Sequence, residues 1–374
     1  MLKSNIANLP PIGLYIHIPF CGAKCGYCDF YSLTGTARQK EDYTRAVEGA
    51  LKSWSGKLNR AADTLYIGGG TPTQLDSAQL CRIITAARRE FSLCDGETTV
   101  EANPQKNLSA YFKDMCAAGV SRISLGLQSA HNSELKWLSR KHSPEDVTAA
   151  VAAAKVAGIR NISLDLMLGL QGQATKSLRE SIEFCLRQDP AHISCYLLKI
   201  EPGTRFYQNR ENFSLPDDER LCELYLYACE KLQKHGFRQY EISNFARPGF
   251  ESRHNLKYWR TQEYLGVGAS AHSFIDKRRF YYEPDTGGFI TGDEPVPDGE
   301  YGGFEEFFML GLRLNEGVDL SECGDMLDDE GKQAILKKAA PMQKAGLLQL
   351  TGDTIRLTPR GFLVSNRIIG ELIF

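Results

Sequence analysis

Over its first 240 residues this chain alternates short apolar runs with amphipathic segments, and that alternation restricts its fold more than any other feature. Strands are expected at Gly13 to Ile18, Asp63 to Ile67, Thr98 to Ala102, Ser121 to Leu127, Asn161 to Leu166 and His192 to Leu198. Helices are expected from about Lys40 to Lys52, Asp76 to Phe91, Ser109 to Ala118, Ser143 to Gly158 and Asp217 to Lys234. In the second of these, Leu80, Ile83, Ile84, Ala87 and Phe91 share one stripe. Ser143-Pro144-Glu145-Asp146 offers an N-cap hydroxyl, a first-turn proline and acids at the positive end of the helix dipole. Near-continuous apolar strands belong in a parallel sheet with helices outside it. Six units are too few for an eight-fold barrel. The expected class is therefore α/β, a curved and partly open (β/α)6 barrel whose reactive groups gather at the C-terminal strand ends.

Those ends carry unusual residues. Cys21-Gly-Ala-Lys-Cys25-Gly-Tyr-Cys28 follows the first strand, Gly68-Gly-Gly70-Thr-Pro-Thr73 ends the second, Glu101 ends the third, Gln128 ends the fourth and Asp165 lies on the fifth. Three thiolates within eight residues can wrap one inorganic core and leave part of it open, as an iron–sulfur site with a free coordination position requires. A zinc site with His17 or Asp29 as fourth ligand and a redox pair of Cys25 and Cys28 are alternatives. Neither accounts for Cys21, so the open cluster is preferred.

Past the barrel, Gln239 to Ser243 suggests a strand, followed by His254-Asn-Leu-Lys-Tyr-Trp259 and a glycine-rich run from Gly266 to Ser270. Lys277 to Tyr282 mixes cations with aromatics and reads as an exposed strand edge, with Arg278 or Arg279 available to an anion. Residues 283–303, rich in Gly, Pro and Asp, read as a linker or long surface loop. A helix over Phe304 to Leu314, one or two more over Asp328 to Ala345 broken near Pro341, a hairpin over residues 347–357 and a last helix capped by Thr358 make a helical, winged-helix-like module. The expected division is residues 1–240, 241–303 and 304–374.

Charge narrows the partners. The chain has 44 basic and 46 acidic residues and a net charge of −2, and its C-terminal module has 8 Lys and Arg against 11 Asp and Glu. This balance gives no basic face for nucleic acid. Eleven cysteines, scattered apart from the triplet, read as reduced thiols. The first twenty residues lack a signal-type apolar run and no segment reaches membrane-spanning length. A cytoplasmic protein is expected, either free or held peripherally at a membrane.

The cysteine triplet, the glycine run and the (β/α)6 reading together resemble the radical S-adenosylmethionine (SAM) superfamily. More narrowly, Tyr15-Ile-His-Ile-Pro-Phe-Cys21, Gly68 to Thr73, Leu125-Gly-Leu-Gln-Ser129 and the C-terminal module are similar to the oxygen-independent coproporphyrinogen III oxidase-like family, which includes haem chaperones. The resemblance implies a [4Fe–4S] cluster on Cys21, Cys25 and Cys28 with SAM on its fourth iron. It places Tyr27 against the adenine, Gly69, Gly70 and Thr71 beside the methionine ammonium, and Tyr15 beside the cluster. Glu101, Gln128, Arg140 and Asp165 become polar contacts to SAM. In such proteins a reduced cluster cleaves the sulfonium to methionine and a 5′-deoxyadenosyl radical.

Two departures separate the branches of this family. The dehydrogenases carry a further cysteine where this chain has Phe30, and a longer segment ahead of the cluster. Instead, His254-Asn255-Leu-Lys-Tyr258-Trp259 is similar to the H-N-x-x-Y-W pattern of the haem chaperones. An imidazole can ligate haem iron and the aromatics offer flat surface to a macrocycle. The implied function is haem capture and delivery to haem-accepting proteins such as respiratory-chain components, with SAM cleavage and homodimerisation available to it. The alternative is an oxygen-independent coproporphyrinogen III dehydrogenase or another tetrapyrrole-modifying enzyme.

Overall fold

The structure, a computed structural model, describes residues 9–93, 96–105 and 107–373. Six strand–helix units run in chain order: β1 (Ile12–Ile18) and α1 (Ala37–Leu58), β2 (Ala62–Gly69) and α2 (Ser77–Glu90), β3 (Glu97–Ala102) and α3 (Leu108–Ala117), β4 (Arg122–Gln128) with α4 (Asn132–Trp137) and α5 (Pro144–Val156), β5 (Asn161–Leu168) and α6 (Thr175–Arg187), then β6 (His192–Leu197) with α7 (Arg205–Gln208) and α8 (Asp218–Lys234). Strands β1 to β6 pair in sequence and in parallel. Their burial explains the apolar runs: every residue of β4 is buried, and so are six of seven in β1. The helices start where short polar side chains can satisfy free N–H groups. Thr36 with Gln39, Asp76 with Gln79 and Ser143 with Asp146 each form a reciprocal capping box.

The sheet continues past the six units. After β7 (Arg238–Gln239) and β8 (Asn244–Ala246) come α9 (Arg253–Trp259), β9 (Tyr264–Val267), β10 (His272–Ile275), β11 (Arg278–Tyr281), α10 (Thr286–Thr291) and β12 (Val296–Glu300). Among the described residues one twelve-stranded sheet results, in the order β12-β11-β10-β9-β1-β2-β3-β4-β5-β6-β8-β7. The C-terminal module comprises α11 (Phe304–Gly311), β13 (Val318–Asp319), α12 (Asp329–Lys344), β14 (Leu348–Thr351), β15 (Thr354–Leu357), α13 (Pro359–Phe362) and α14 (Ser365–Ile373). Its three strands form a separate antiparallel sheet beside the helices.

Four local expectations change. Of Gln239 to Ser243 only Gln239 is extended, as the end of β7; residues 240–243 are the turn to β8, held by Ile242 N–H to Arg313 O at 3.1 Å and Asn315 N–H to Tyr240 O at 2.9 Å, which tie it to the C-terminal module. Residues 283–303 are ordered by contacts the local composition hides. Asp285 caps α10, Phe289 packs on Tyr43, and β12 pairs with β11. Arg278 to Tyr281 is consequently an inner strand, and Arg279 is committed to Glu306 and to Tyr264 at 3.0 Å. Helix α12 runs unbroken through Pro341, whose missing donor falls near the helix end while Ile335 and Ala339 hold the buried face. The short helices α4, α7, α9 and α10 and the longer α6 are absent from the sequence-based expectation, although in α6 Leu178, Ile182 and Cys185 repeat at helical spacing.

Candidate functional site

The cysteine loop begins as β1 ends. Cys21 N–H donates to Leu33 O at 2.9 Å and Leu33 N–H to Pro19 O at 2.8 Å, closing the loop at its base. Its far side is clamped by the segment after β6: Phe206 N–H donates to Gly26 O at 2.9 Å, and Arg205 Nη2 to Lys24 O at 3.1 Å. A methyl at Gly26 would stand 2.5 Å from the Phe206 ring, so the loop's glycine is a packing requirement. Tyr27 and Phe206 meet edge to face at 6.1 Å, within a small apolar cluster that includes Leu138, Met167 and Leu170. All three cysteines remain partly accessible free thiols on one side of a cavity. Burial raises the Cys28 thiol above its ordinary range. Among the described residues no three His, Cys, Asp or Glu side chains stand close enough together to hold a single metal ion. His17, the suggested fourth zinc ligand, has Nδ1 at 3.1 Å from Tyr15 OH and Nε2 at 3.1 Å from Tyr31 O, and burial lowers its pKa to about 4.

The cavity has a volume of about 500 Å³ and opens at the C-terminal ends of the strands. Cys21, Cys25, Cys28, Tyr27, Gly69, Gly70, Thr71, Glu101, Gln128, Arg140, Asp165 and Asn255 all line it, so twelve of the positions expected from sequence share one wall system. Tyr15 lies outside the lining, tilted against Tyr66 at 6.3 Å. Glu101 accepts from Tyr66 OH at 2.7 Å; burial pushes its carboxyl up to about 7. Asp165 accepts from Ser124 Oγ at 3.2 Å and is also raised by burial. Arg140 donates to Asn103 Oδ1 at 2.7 Å, while Asn103 Nδ2 donates to Thr71 Oγ1 at 2.9 Å. Tyr196 OH donates to Gln128 Oε1 at 2.9 Å.

The glycine run has an internal reason as well. A Cβ at Gly69, whose φ is +108°, would stand 2.6 Å from the His17 ring, and one at Gly70 would stand 2.8 Å from Phe20 O. Tyr66, Asn103, Arg122, Tyr196 and Asn244 line the cavity and were not singled out from sequence. Strand alternation was the available signal, since Arg122, Ser124, Gly126 and Gln128 share the inward face of β4. Phe30 stands at the cavity rim, 63% exposed.

The His254 motif forms a helix, with Ser252 accepting from Asn255 N–H at its start. His254 is fully buried, its Nδ1 at 2.8 Å from Thr64 Oγ1 and its Nε2 at 2.8 Å from Tyr258 OH. Its ring stacks on Tyr66 at 5.4 Å, and burial lowers its pKa to about 3. Gly13 and Thr64, its neighbours, lie near the N-terminal ends of β1 and β2. The motif therefore floors the barrel, opposite the cysteine loop. Asn255 reaches the cavity lining; His254, Tyr258 and Trp259 lie outside it. The Trp259 ring packs under the Arg313 guanidinium at 5.5 Å.

Comparison with known proteins agrees with this fold. Residues 15–185 match the radical SAM superfamily, and residues 304–364 the HemN C-terminal domain. A Mycobacterium tuberculosis protein named heme chaperone HemW is 33% identical over 99% of this chain and 97% of its own length. Proteins of that name from Bacillus subtilis and Escherichia coli are each 34% identical, over 96% and 97% of this chain and 98% of their own lengths. The solved structure of Escherichia coli coproporphyrinogen III oxidase (HemN), a radical SAM enzyme, superposes with a TM-score of 0.83 at 22% identity, covering 98% of this chain and 91% of that one, which shows the shared fold. The chain belongs to the radical SAM superfamily and, within it, to the family of proteins named heme chaperone HemW.

Proposed function

We propose that this protein captures haem and passes it to haem-requiring partners, respiratory-chain components among them, on a scaffold that also binds a [4Fe–4S] cluster and SAM. The observation that carries the reading is end-to-end likeness to proteins named heme chaperone HemW. Phe30, in place of the dehydrogenases' further cysteine, supports the same branch. The donor set fits the two cofactors: three partly accessible thiols on one cavity wall suit a cluster, and the adjoining carboxylates, guanidinium and aromatic ring suit a zwitterionic sulfonium nucleoside. Cys21, Cys25 and Cys28 would hold the cluster. Tyr27, Gly69, Gly70, Thr71, Glu101, Gln128, Arg140 and Asp165 would surround SAM, with Tyr15 supporting them from behind Tyr66. Bound there, a reduced cluster and SAM supply one-electron chemistry. The chain's own part is to orient the sulfonium and to limit water at the inner end of the cavity.

His254, Asn255, Tyr258 and Trp259 are the proposed haem residues. Because both ring nitrogens of His254 are taken, ligation of iron requires α9 to unpack first. Haem binding then connects to the cavity through Tyr66, which touches His254 on one side and Glu101 on the other. Haem capture and SAM occupancy are thereby coupled. The test is a spectroscopic haem titration of wild type, His254→Ala and His254→Gln, with folding of each variant checked by circular dichroism. Binding by wild type alone supports the reading; no wild-type binding rejects it. Formation of protoporphyrinogen from coproporphyrinogen by the reconstituted anaerobic protein would reject it in favour of the dehydrogenase.

A further inference from the structure

The inner end of the cavity holds a charge that the cluster and SAM do not use. Arg122 opens β4, is 2% exposed and still lines the cavity. Its Nε and Nη1 are buried without a hydrogen-bond partner. Glu101 and Asp165 feel its charge, but they accept from Tyr66 and Ser124 and neither accepts from Arg122 Nε or Nη1. A guanidinium cannot discard its proton to suit its surroundings; Glu101 and Asp165 supply opposite charge, and the two bare N–H groups stay open to a further acceptor. The wall around it is also polar. Asn244 on β8 lines the cavity with a buried Oδ1 that has no partner, and Asn255 enters from α9, next to His254.

This position is separate from Arg140. Gln128 ends β4 near the mouth, where Arg140 and Tyr27 meet at 5.9 Å. Arg122 lies six residues earlier on the strand, toward the floor, and Asp165 stands in the field of both guanidinium groups. The guanidinium's planar fork matches a carboxylate in two parallel hydrogen bonds.

We propose that Arg122 anchors a second subsite at the floor of the cavity, and that this subsite takes a carboxylate, either a propionate side chain of haem or a free short-chain acid. The subsite rests on the structure alone; only the propionate source rests on the haem reading. Asn255, next to His254 on α9, is the residue that links the two positions.

The experiment compares haem with its dimethyl ester, and butyrate with butyramide, on wild type, Arg122→Met and Arg122→Lys. Wild type should bind haem about tenfold or more tightly than the ester, the preference vanishing in Arg122→Met and surviving in part in Arg122→Lys. Persistence of the preference in Arg122→Met overturns the proposal. If wild type binds acid and ester equally, or binds neither, haem is not the source, and the small acids decide. A saturable rise in Tm with butyrate and not butyramide, lost in Arg122→Met, then establishes the subsite for free acids. No butyrate response in wild type overturns it. Should Arg122→Met fail to fold, the wild-type acid-against-ester and acid-against-amide comparisons decide the same two questions. Failure of the haem reading appears separately, as absence of haem binding with the butyrate response intact.

Discussion

Glu101 should set the pH response of the ligand-free protein. Its carboxyl is pushed up to about 7 by burial against an ordinary 4.5. Between those values the folded state keeps a proton that the unfolded chain releases, so stability falls as pH rises from about 4.5 to about 7. Glu241, raised to about 7 for the same reason, adds the same slope. Glu101→Gln should therefore remove this group's share of the slope and stabilise the protein at pH 8 by about 2 kcal/mol, measured by urea unfolding at pH 5 and pH 8. His254 acts in the opposite direction. Its pKa of about 3 lies below the ordinary 6.5, so its contribution is lost as pH falls through that window. His254→Ala removes a buried ring and two hydrogen bonds, and should cost about 3 kcal/mol in chemical denaturation at pH 7. Glu101 and Asp165 were legible in the sequence because strand ends of a parallel barrel converge. Arg122 was not, because an arginine that opens an apolar strand reads as a solvated flank until the barrel closes around it.

Among the elements, α7 and α9 do opposite things to the cavity. The short α7 brings Phe206 against Gly26 and Tyr27, and so holds the cysteine loop. Phe206→Ala should leave the barrel folded and loosen this loop, lowering iron and acid-labile sulfide per chain after reconstitution by half or more; an unchanged content would show that the loop needs no clamp. Helix α9 closes the floor. If it must unpack before His254 reaches iron, haem uptake should approach a limiting rate as haem is raised, measured by stopped-flow absorbance, with Thr64→Ala raising that limit several-fold. The repeating strands and helices were readable from periodicity and caps. Residues 283–303 were not, since Phe289 and Asp285 gain their meaning from Tyr43 and the start of α10, distant or local contacts that composition does not encode.

Across the whole molecule, the C-terminal module is bound to the barrel by backbone hydrogen bonds at Tyr240 and Ile242, by an antiparallel bridge between Glu241 and Leu314, and by the half-buried pair of Arg279 and Glu306. These contacts predict one cooperative unfolding transition, with circular dichroism and tryptophan fluorescence coincident in urea; separate midpoints would show the module to be independent. Among the described residues no helix is long and apolar enough to cross a membrane. The pairing of β9 with β1, Gly13 to Val267 at its limits, has a consequence for synthesis. A chain leaving the ribosome keeps the outer edge of its first strand unpaired for some 250 residues, until β9 is made. Closure of the barrel on that side is therefore a late step of synthesis.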